Sequence, residues 1–148
     1  MNEVLPPVQL SSKDVKEIQI SFGRCLVSVN NELSFLELFY RLFISSHSDI
    51  KAMFVNTDLK KQYKLLHVGL NMALLFIDGN HSISLNVLEK IRKTHSRNEL
   101  NIKPELYVFW IDSLIETIKI KDEQFNNELE NKWRIALQKA VDFIVDGY

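Results

Sequence analysis

The fold is decided most clearly by a stretch of large apolar residues, ELSFLELFYRLFI (residues 32–44). An α-helix turns once every 3.6 residues, so Phe35, Phe39 and Leu42 share one face of such a helix. An apolar face of this width is stable only when it packs against a core. The stretch therefore predicts a buried helix from about Glu32 to Ile44.

The same period continues through most of the chain, which has only four glycines and three prolines to interrupt it. It predicts further helical segments, which begin at Ser11 or Ser12, at Asp49, after Asp58, before Leu85, at Pro104 and at about Asp122. The first of them should end before Asn30. We therefore expect an all-α protein in which residues 1–148 form a single domain and residues 1–10 form a flexible extension.

Composition excludes several functional classes. The formal net charge is −1 at pH 7, which offers no basic surface for nucleic acid. The longest mainly apolar stretch, Leu70–Ile77, is far shorter than the roughly 20 residues that span a bilayer, and the first ten residues lack the apolar core of a signal peptide. Cys25 is the only cysteine, which rules out an internal disulfide and suits a reducing cytoplasm. These features predict a cytoplasmic protein with no nucleic-acid or membrane partner.

No phosphate-binding glycine loop, nucleophile elbow or HExxH pair occurs in the chain, so attention falls on its histidines. There are four of them: His47, His67, His81 and His95. His47 and His81 lie in polar stretches and are expected in solvent, whereas His67 lies on a helix, beside the core or at the surface. His95 follows Leu88 and Ile91 by seven and four residues and shares their helix face. That pattern alone fits either a core histidine or a ligand.

Several segments then occur in a characteristic order. They are FYRLF (39–43) with SDIKAMF (48–54), FVNTDLKKQ (54–62), LEKIRKTH (88–95) and IKPELY (102–107), followed by Trp133. In residue type, order and spacing they resemble the globin family, especially its single-domain bacterial members. Those members are similar to the haem domain of flavohaemoglobins but have no reductase domain. The resemblance implies a three-over-three helical sandwich around a pocket for haem b.

The resemblance also implies roles for individual residues. His95 corresponds to the proximal iron ligand, the usual haem attachment in globins. The other residues expected to contact the cofactor are Phe54, which packs on the porphyrin, Leu88, Ile91, Ile102 and Tyr107. The distal gas pocket is expected to be formed by the Tyr40 hydroxyl, the Gln62 amide and the apolar wall of Leu66. A different alignment of the distal helix would put Lys61 at the site of Gln62.

The chain departs from the family pattern at three places. Ser48 stands where the family usually has proline, and the segment from His95 to Ile102 is longer by two residues than in the bacterial members. Flavohaemoglobin-like members also pair the proximal histidine with a tyrosine and a glutamate. Tyr107 matches that tyrosine, but the place of the glutamate falls near Tyr148, so this network is expected to be incomplete.

Reversible binding of a diatomic gas at ferrous haem iron is the function that the resemblance implies. The expected ligands are oxygen, nitric oxide and carbon monoxide. The role is then oxygen binding or transport or, with an external reductase, nitric oxide dioxygenase activity, which would make the protein an enzyme. Two alternatives stay open: a haem-based gas sensor acting through a partner, and a haem-free interaction module with the same fold.

Overall fold

A computed structural model describes residues 9–79 and 81–148, except for the side chains of His81 and Ser82. The expected flexible extension therefore lies almost wholly outside the described residues, as does the expectation for the His81 side chain. The described part is helical without strands, which confirms the all-α prediction. Its helices are α1 (Ser12–Cys25), α2 (Phe35–Ser46), α3 (Ser48–Met53), α4 (Leu59–Ile77), α5 (His81–Thr94), α6 (Tyr107–Lys121) and α7 (Asn127–Val145). None of them is both long and apolar enough to cross a bilayer.

Side chains just before the helices explain where several of them begin. The Ser11 hydroxyl accepts a hydrogen bond from the Asp14 N–H at 3.1 Å, and the Asp14 carboxylate accepts one from the Ser11 N–H at 2.9 Å. This capping box satisfies two main-chain donors at the start of α1. Ser34 caps α2 through the Glu37 N–H at 3.2 Å, so α2 begins three residues later than the apolar pattern predicts. Asp58 caps α4.

One predicted helix start is wrong. The last helix begins at Asn127 rather than near Asp122, because Asn126 provides the cap by accepting the Leu129 N–H at 2.8 Å. Asp122 instead follows the end of α6, where its side chain is buried in a hydrogen-bond network. The first helix ends at Cys25, which confirms its predicted end before Asn30.

The helices form two crossed layers. In one layer α4 packs against α1 and α5, and in the other α6 packs against α2 and α7. Contacts of α7 with α1, α4 and α5 and of α2 with α4 join the layers. Side chains from α2, α4 and the start of α6 meet in one buried core.

A buried polar network ties α1 to α6 and α7. The Asp122 carboxylate accepts hydrogen bonds from Arg24 Nε at 2.6 Å and from the Ser21 hydroxyl at 2.6 Å. The Ser21 oxygen in turn accepts the indole N–H of Trp133 at 3.0 Å. Burial raises the pKa of Asp122, but the hydrogen bonds from Arg24 and Ser21 outweigh it, so the pKa lies below its ordinary value. Asp122 is therefore ionised at neutral pH and held by fixed donors.

Candidate functional site

His95 lies immediately after α5, and its main chain is fixed on both sides. Its N–H donates to the Ile91 carbonyl at 2.9 Å, and its own carbonyl accepts the Ile102 N–H at 3.1 Å. Leu88 is 1% exposed, while Ile91 and Ile102 are half-buried. The imidazole thus stands at the end of an apolar helix face, as the spacing of Leu88 and Ile91 predicts.

The imidazole of His95 contacts the first residue of α6. Its Nδ1 atom lies 3.0 Å from the Tyr107 hydroxyl oxygen, and the two rings are 6.3 Å apart between centroids at an interplanar angle of 28°. A short 3₁₀ turn that begins at Pro104 delivers Tyr107 to this position. Burial lowers the pKa of His95 and raises the pKa of Tyr107 to about 12. Both side chains are therefore neutral at pH 7.

The second ring nitrogen of His95 is the atom open to a ligand. Within the described residues Nε2 makes no hydrogen bond, and no side-chain nitrogen or oxygen there is both sealed from solvent and unpartnered. It follows that Nε2 is accessible. When Nδ1 carries the proton and donates it to Tyr107, Nε2 presents a lone pair suited to a metal.

The donor set fits a haem better than a bare metal ion. No group of three or more histidine, cysteine, aspartate or glutamate side chains that could hold a metal occurs in residues 9–79 and 81–148. A single imidazole is enough for an iron that a porphyrin already holds. The Tyr107 hydroxyl can accept the Nδ1 proton, and that tautomer leaves Nε2 for a metal. His95, with Tyr107 behind it, could therefore hold a haem iron.

Tyr40 on α2 is the centre of an aromatic cluster across the core. Its side chain is 3% exposed, and its ring lies 5.8 Å from Phe54 and 5.5 Å from Tyr63 between centroids. Phe54 also meets the Phe43 ring at 5.8 Å. The Tyr40 hydroxyl donates to the main-chain carbonyl of Gln62 at 3.4 Å, which is long for an O–H···O bond and therefore weak.

The rotation of α4 decides which of its side chains lie inward. Leu66 is 8% exposed, and Gln62, one turn earlier on the same face, is half-buried, whereas Lys61 is exposed. The His67 ring meets the Phe22 ring of α1 edge-on at 5.8 Å. His67 therefore faces α1, and Gln62 rather than Lys61 shares the inward side with Leu66.

The predicted site residues thus form two groups that meet the same core. Tyr40, Leu66 and Tyr107 belong to one buried hydrophobic cluster, and Phe54 and Ile102 pack against it. One group surrounds His95 and the other surrounds Tyr40. The structure brings the members of each group together by direct hydrogen bonds or ring contacts, except Leu66 and Leu88, which are placed by their helix faces alone.

Two features escaped the sequence reasoning. Tyr63 lies against Tyr40, and the two line a surface cleft of about 500 Å³ between α2 and α4; the spacing of Leu59 and Tyr63 on one helix face could have indicated it. His47 was expected in solvent, but it is half-buried. Its Nδ1 accepts the Asp49 N–H at 3.0 Å and so caps α3.

Comparisons with known proteins agree with this architecture. No protein-family model matches the chain. A crystal structure of a Pseudomonas aeruginosa PAO1 protein, described as structurally highly homologous to a human hemoglobin, superposes with a TM-score of 0.81 at 30% identity, covering 91% of this chain and 98% of that one. An uncharacterized protein of Dictyostelium discoideum is 29% identical over 138 residues. That match takes in 86% of this chain but 28% of the Dictyostelium protein, so the chain spans little more than a quarter of this relative.

Proposed function

Because this chain belongs to the globin family, we propose that it holds one haem b through His95 and reversibly binds a diatomic gas, oxygen or nitric oxide, on the opposite side of the iron. When bound, the haem supplies a ferrous iron with one coordination position left for the gas. The protein would supply the His95 imidazole to hold the iron, an apolar enclosure and the polar groups that meet the gas.

The contact between His95 Nδ1 and the Tyr107 hydroxyl carries this proposal. At 3.0 Å it is a good hydrogen bond, and it occupies the one ring nitrogen that an iron does not need. Burial lowers the pKa of His95, so the neutral ring carries one proton, and when Nδ1 holds that proton and donates it to Tyr107, Nε2 keeps a lone pair for the iron. Buried polar groups are ordinarily paired with protein or water, and Nε2 of His95, which has no protein partner among the described residues, is the atom left for an iron.

On the other side of the core, Tyr40 and Gln62 would provide hydrogen-bond donors for the gas. The Tyr40 hydroxyl has only a 3.4 Å bond to the Gln62 carbonyl to give up. A ligand that gains negative charge on its outer atom, as oxygen does, is stabilised by such donors, whereas carbon monoxide gains little. The buried Leu66 would keep water from the same space. These residues support oxygen as the preferred ligand.

An absorption spectrum of the ferrous protein with and without carbon monoxide tests the proposal, since it reports haem, its coordination and an accessible sixth position together. We expect a Soret band in the purified protein and a shift of that band with carbon monoxide. The variant His95→Ala should lose the haem during gel filtration, because it removes the imidazole that is proposed to bind the iron.

His67→Ala is the matched control. Its ring packs on Phe22 of α1, so the variant loses a histidine on a neighbouring helix without changing the axial ligand and should retain haem. Far-UV circular dichroism shows whether both variants keep their helices. A wild-type protein that stays colourless after expression with added haem would contradict the proposal, as would an unchanged spectrum and haem retention in His95→Ala.

A further inference from the structure

The end of α7 and the residues that follow it contact residues that come before and after His95 in the chain. Before it, the Arg92 guanidinium lies 5.1 Å from the centre of the Phe143 ring and pairs with Asp146 at 3.3 Å. A Cβ atom added at Gly147 would come within 2.3 Å of the Arg92 side chain. The last turn of α7 and the residues just after it therefore pack closely around Arg92, which comes three residues before His95 in the chain.

After His95, the same chain segment holds the loop that leads to α6. The Tyr148 hydroxyl donates to the Asn101 side-chain oxygen at 2.6 Å, and the Tyr148 carbonyl accepts the Arg97 N–H at 3.2 Å. The Arg97 guanidinium also lies 4.8 Å from the centre of the Tyr148 ring. We call the four residues Phe143, Asp146, Gly147 and Tyr148 the α7 clamp.

Burial holds this loop only weakly, so its conformation depends on its own main-chain hydrogen bonds and on the clamp. Residues 97–101 are all exposed, and Leu100 keeps 65% of its surface in solvent. The Asn101 N–H donates to the Ser96 carbonyl at 2.8 Å, and the next residue donates to the His95 carbonyl. Asn101 also holds a left-handed backbone conformation, φ 51°. Fixing Asn101 and Arg97 therefore fixes the main chain that closes on His95.

We propose that the α7 clamp is a positioning device for the His95 imidazole, which sets the orientation of Nε2 and thereby the strength of its bond to the haem iron. The proposal rests on the proposed function, since it names what tunes the same site. Tyr107 fixes the ring by its Nδ1 atom, whereas the clamp fixes the main chain that carries the ring. Outer groups that orient a ligating histidine ordinarily affect metal binding about tenfold or more.

Two small changes loosen the clamp from different sides. Gly147→Ala displaces the Arg92 side chain without changing any charge. Tyr148→Phe removes only the hydroxyl bonded to Asn101. Each has a control: Gly23→Ala, where an added Cβ meets nothing within 4 Å, and Ser46→Ala, which removes a hydroxyl bonded to the Phe43 carbonyl at the end of α2.

The experiment measures two properties of the haem-loaded protein: the iron–histidine stretching band in the resonance Raman spectrum of the ferrous, gas-free state, and the rate of haem transfer to an excess of acceptor protein. We expect Gly147→Ala and Tyr148→Phe to shift or broaden the band and to speed haem loss about tenfold. Both controls should match the wild type in both measurements.

Three results would overturn the proposal. If the band and the haem-loss rate stay at wild-type values in both clamp variants, the clamp does not position His95 and the proposed function stands. Faster haem loss with an unmoved band would show that the clamp only stabilises the fold. A wild-type protein that takes up no haem removes the proposed function itself, and this inference with it.

Discussion

Replacing Tyr107 by phenylalanine would test the most important contact of the site. The change removes one oxygen, which lies 3.0 Å from His95 Nδ1, and leaves a ring that is 9% exposed in its place. A hydrogen bond whose loss leaves a buried partner unsatisfied costs about 1–3 kcal/mol, and about 1.4 kcal/mol corresponds to a tenfold change. Because His95 is only half-buried, water can replace part of the lost bond, which favours the lower half of this range.

We therefore expect Tyr107→Phe to release haem about tenfold faster than the wild type, and no more than about a hundredfold faster. Stopped-flow absorption at the Soret band, with excess acceptor protein, measures the rate. Ser46→Ala is the control, since it removes a hydroxyl that is bonded to the Phe43 carbonyl at the end of α2. Urea unfolding of the haem-free protein should change by less than about 1.5 kcal/mol. A folded Tyr107→Phe protein that loses haem within twofold of the wild-type rate would refute the assigned role of this hydrogen bond.

Three further changes have defined outcomes. Asp122→Asn should lower the free energy of unfolding at pH 7 by roughly 2–4 kcal/mol, since it breaks a buried ion pair whose Arg24 partner stays partly hydrated. Because folding lowers the pKa of Asp122, its contribution to stability is present above the ordinary aspartate pKa and is lost as pH falls through the lowered value. Urea midpoints measured from pH 7 to 3 should therefore fall less steeply in the variant than in the wild type. Parallel curves would exclude a pH-dependent contribution of Asp122. Tyr40→Phe should speed oxygen dissociation about tenfold, measured by flash photolysis, with little loss of stability, since the bond to Gln62 is long; an unchanged rate would mean that the hydroxyl does not meet the gas. Leu70→Ala, at a position 2% exposed, should cost about 2–5 kcal/mol in thermal or urea unfolding, and a smaller loss would show that the core closes around the gap.

Much of the fold could be predicted from local pattern, because helix faces and caps are encoded by residues within one or two turns. Ser11 and Asp58 cap helices where the sequence places them. The apolar face of Leu88 and Ile91 likewise predicted the side of α5 on which His95 lies. These features need only the helical period and a nearby hydroxyl or carboxylate.

The wrong helix start at Asp122 shows what a local pattern cannot supply. An aspartate before an apolar helical run is a normal capping signal. The Asp122 carboxylate is instead buried in an ion pair with Arg24 of α1, which is 98 residues away along the chain. The true cap, Asn126, is equally local and was hidden by the stronger signal of a carboxylate. Partners at such separation become visible only once the helices are packed, and the same holds for Tyr148 and Asn101.

The two sides of the candidate site differ in how firmly their polar groups are held, and this difference suits their proposed tasks. His95 has its N–H, its carbonyl and its Nδ1 atom all engaged at 2.9–3.1 Å, so its remaining nitrogen is fixed in direction before any iron arrives. Tyr40 has a buried ring but a hydroxyl with only a 3.4 Å bond, so little free energy is needed to turn that hydroxyl towards a new acceptor. An axial ligand benefits from being preorganised, because each lost degree of freedom would otherwise weaken the bond. In the proposed function the donor that meets an exchanging gas needs an alternative partner when the gas leaves, and the Gln62 carbonyl would be that partner.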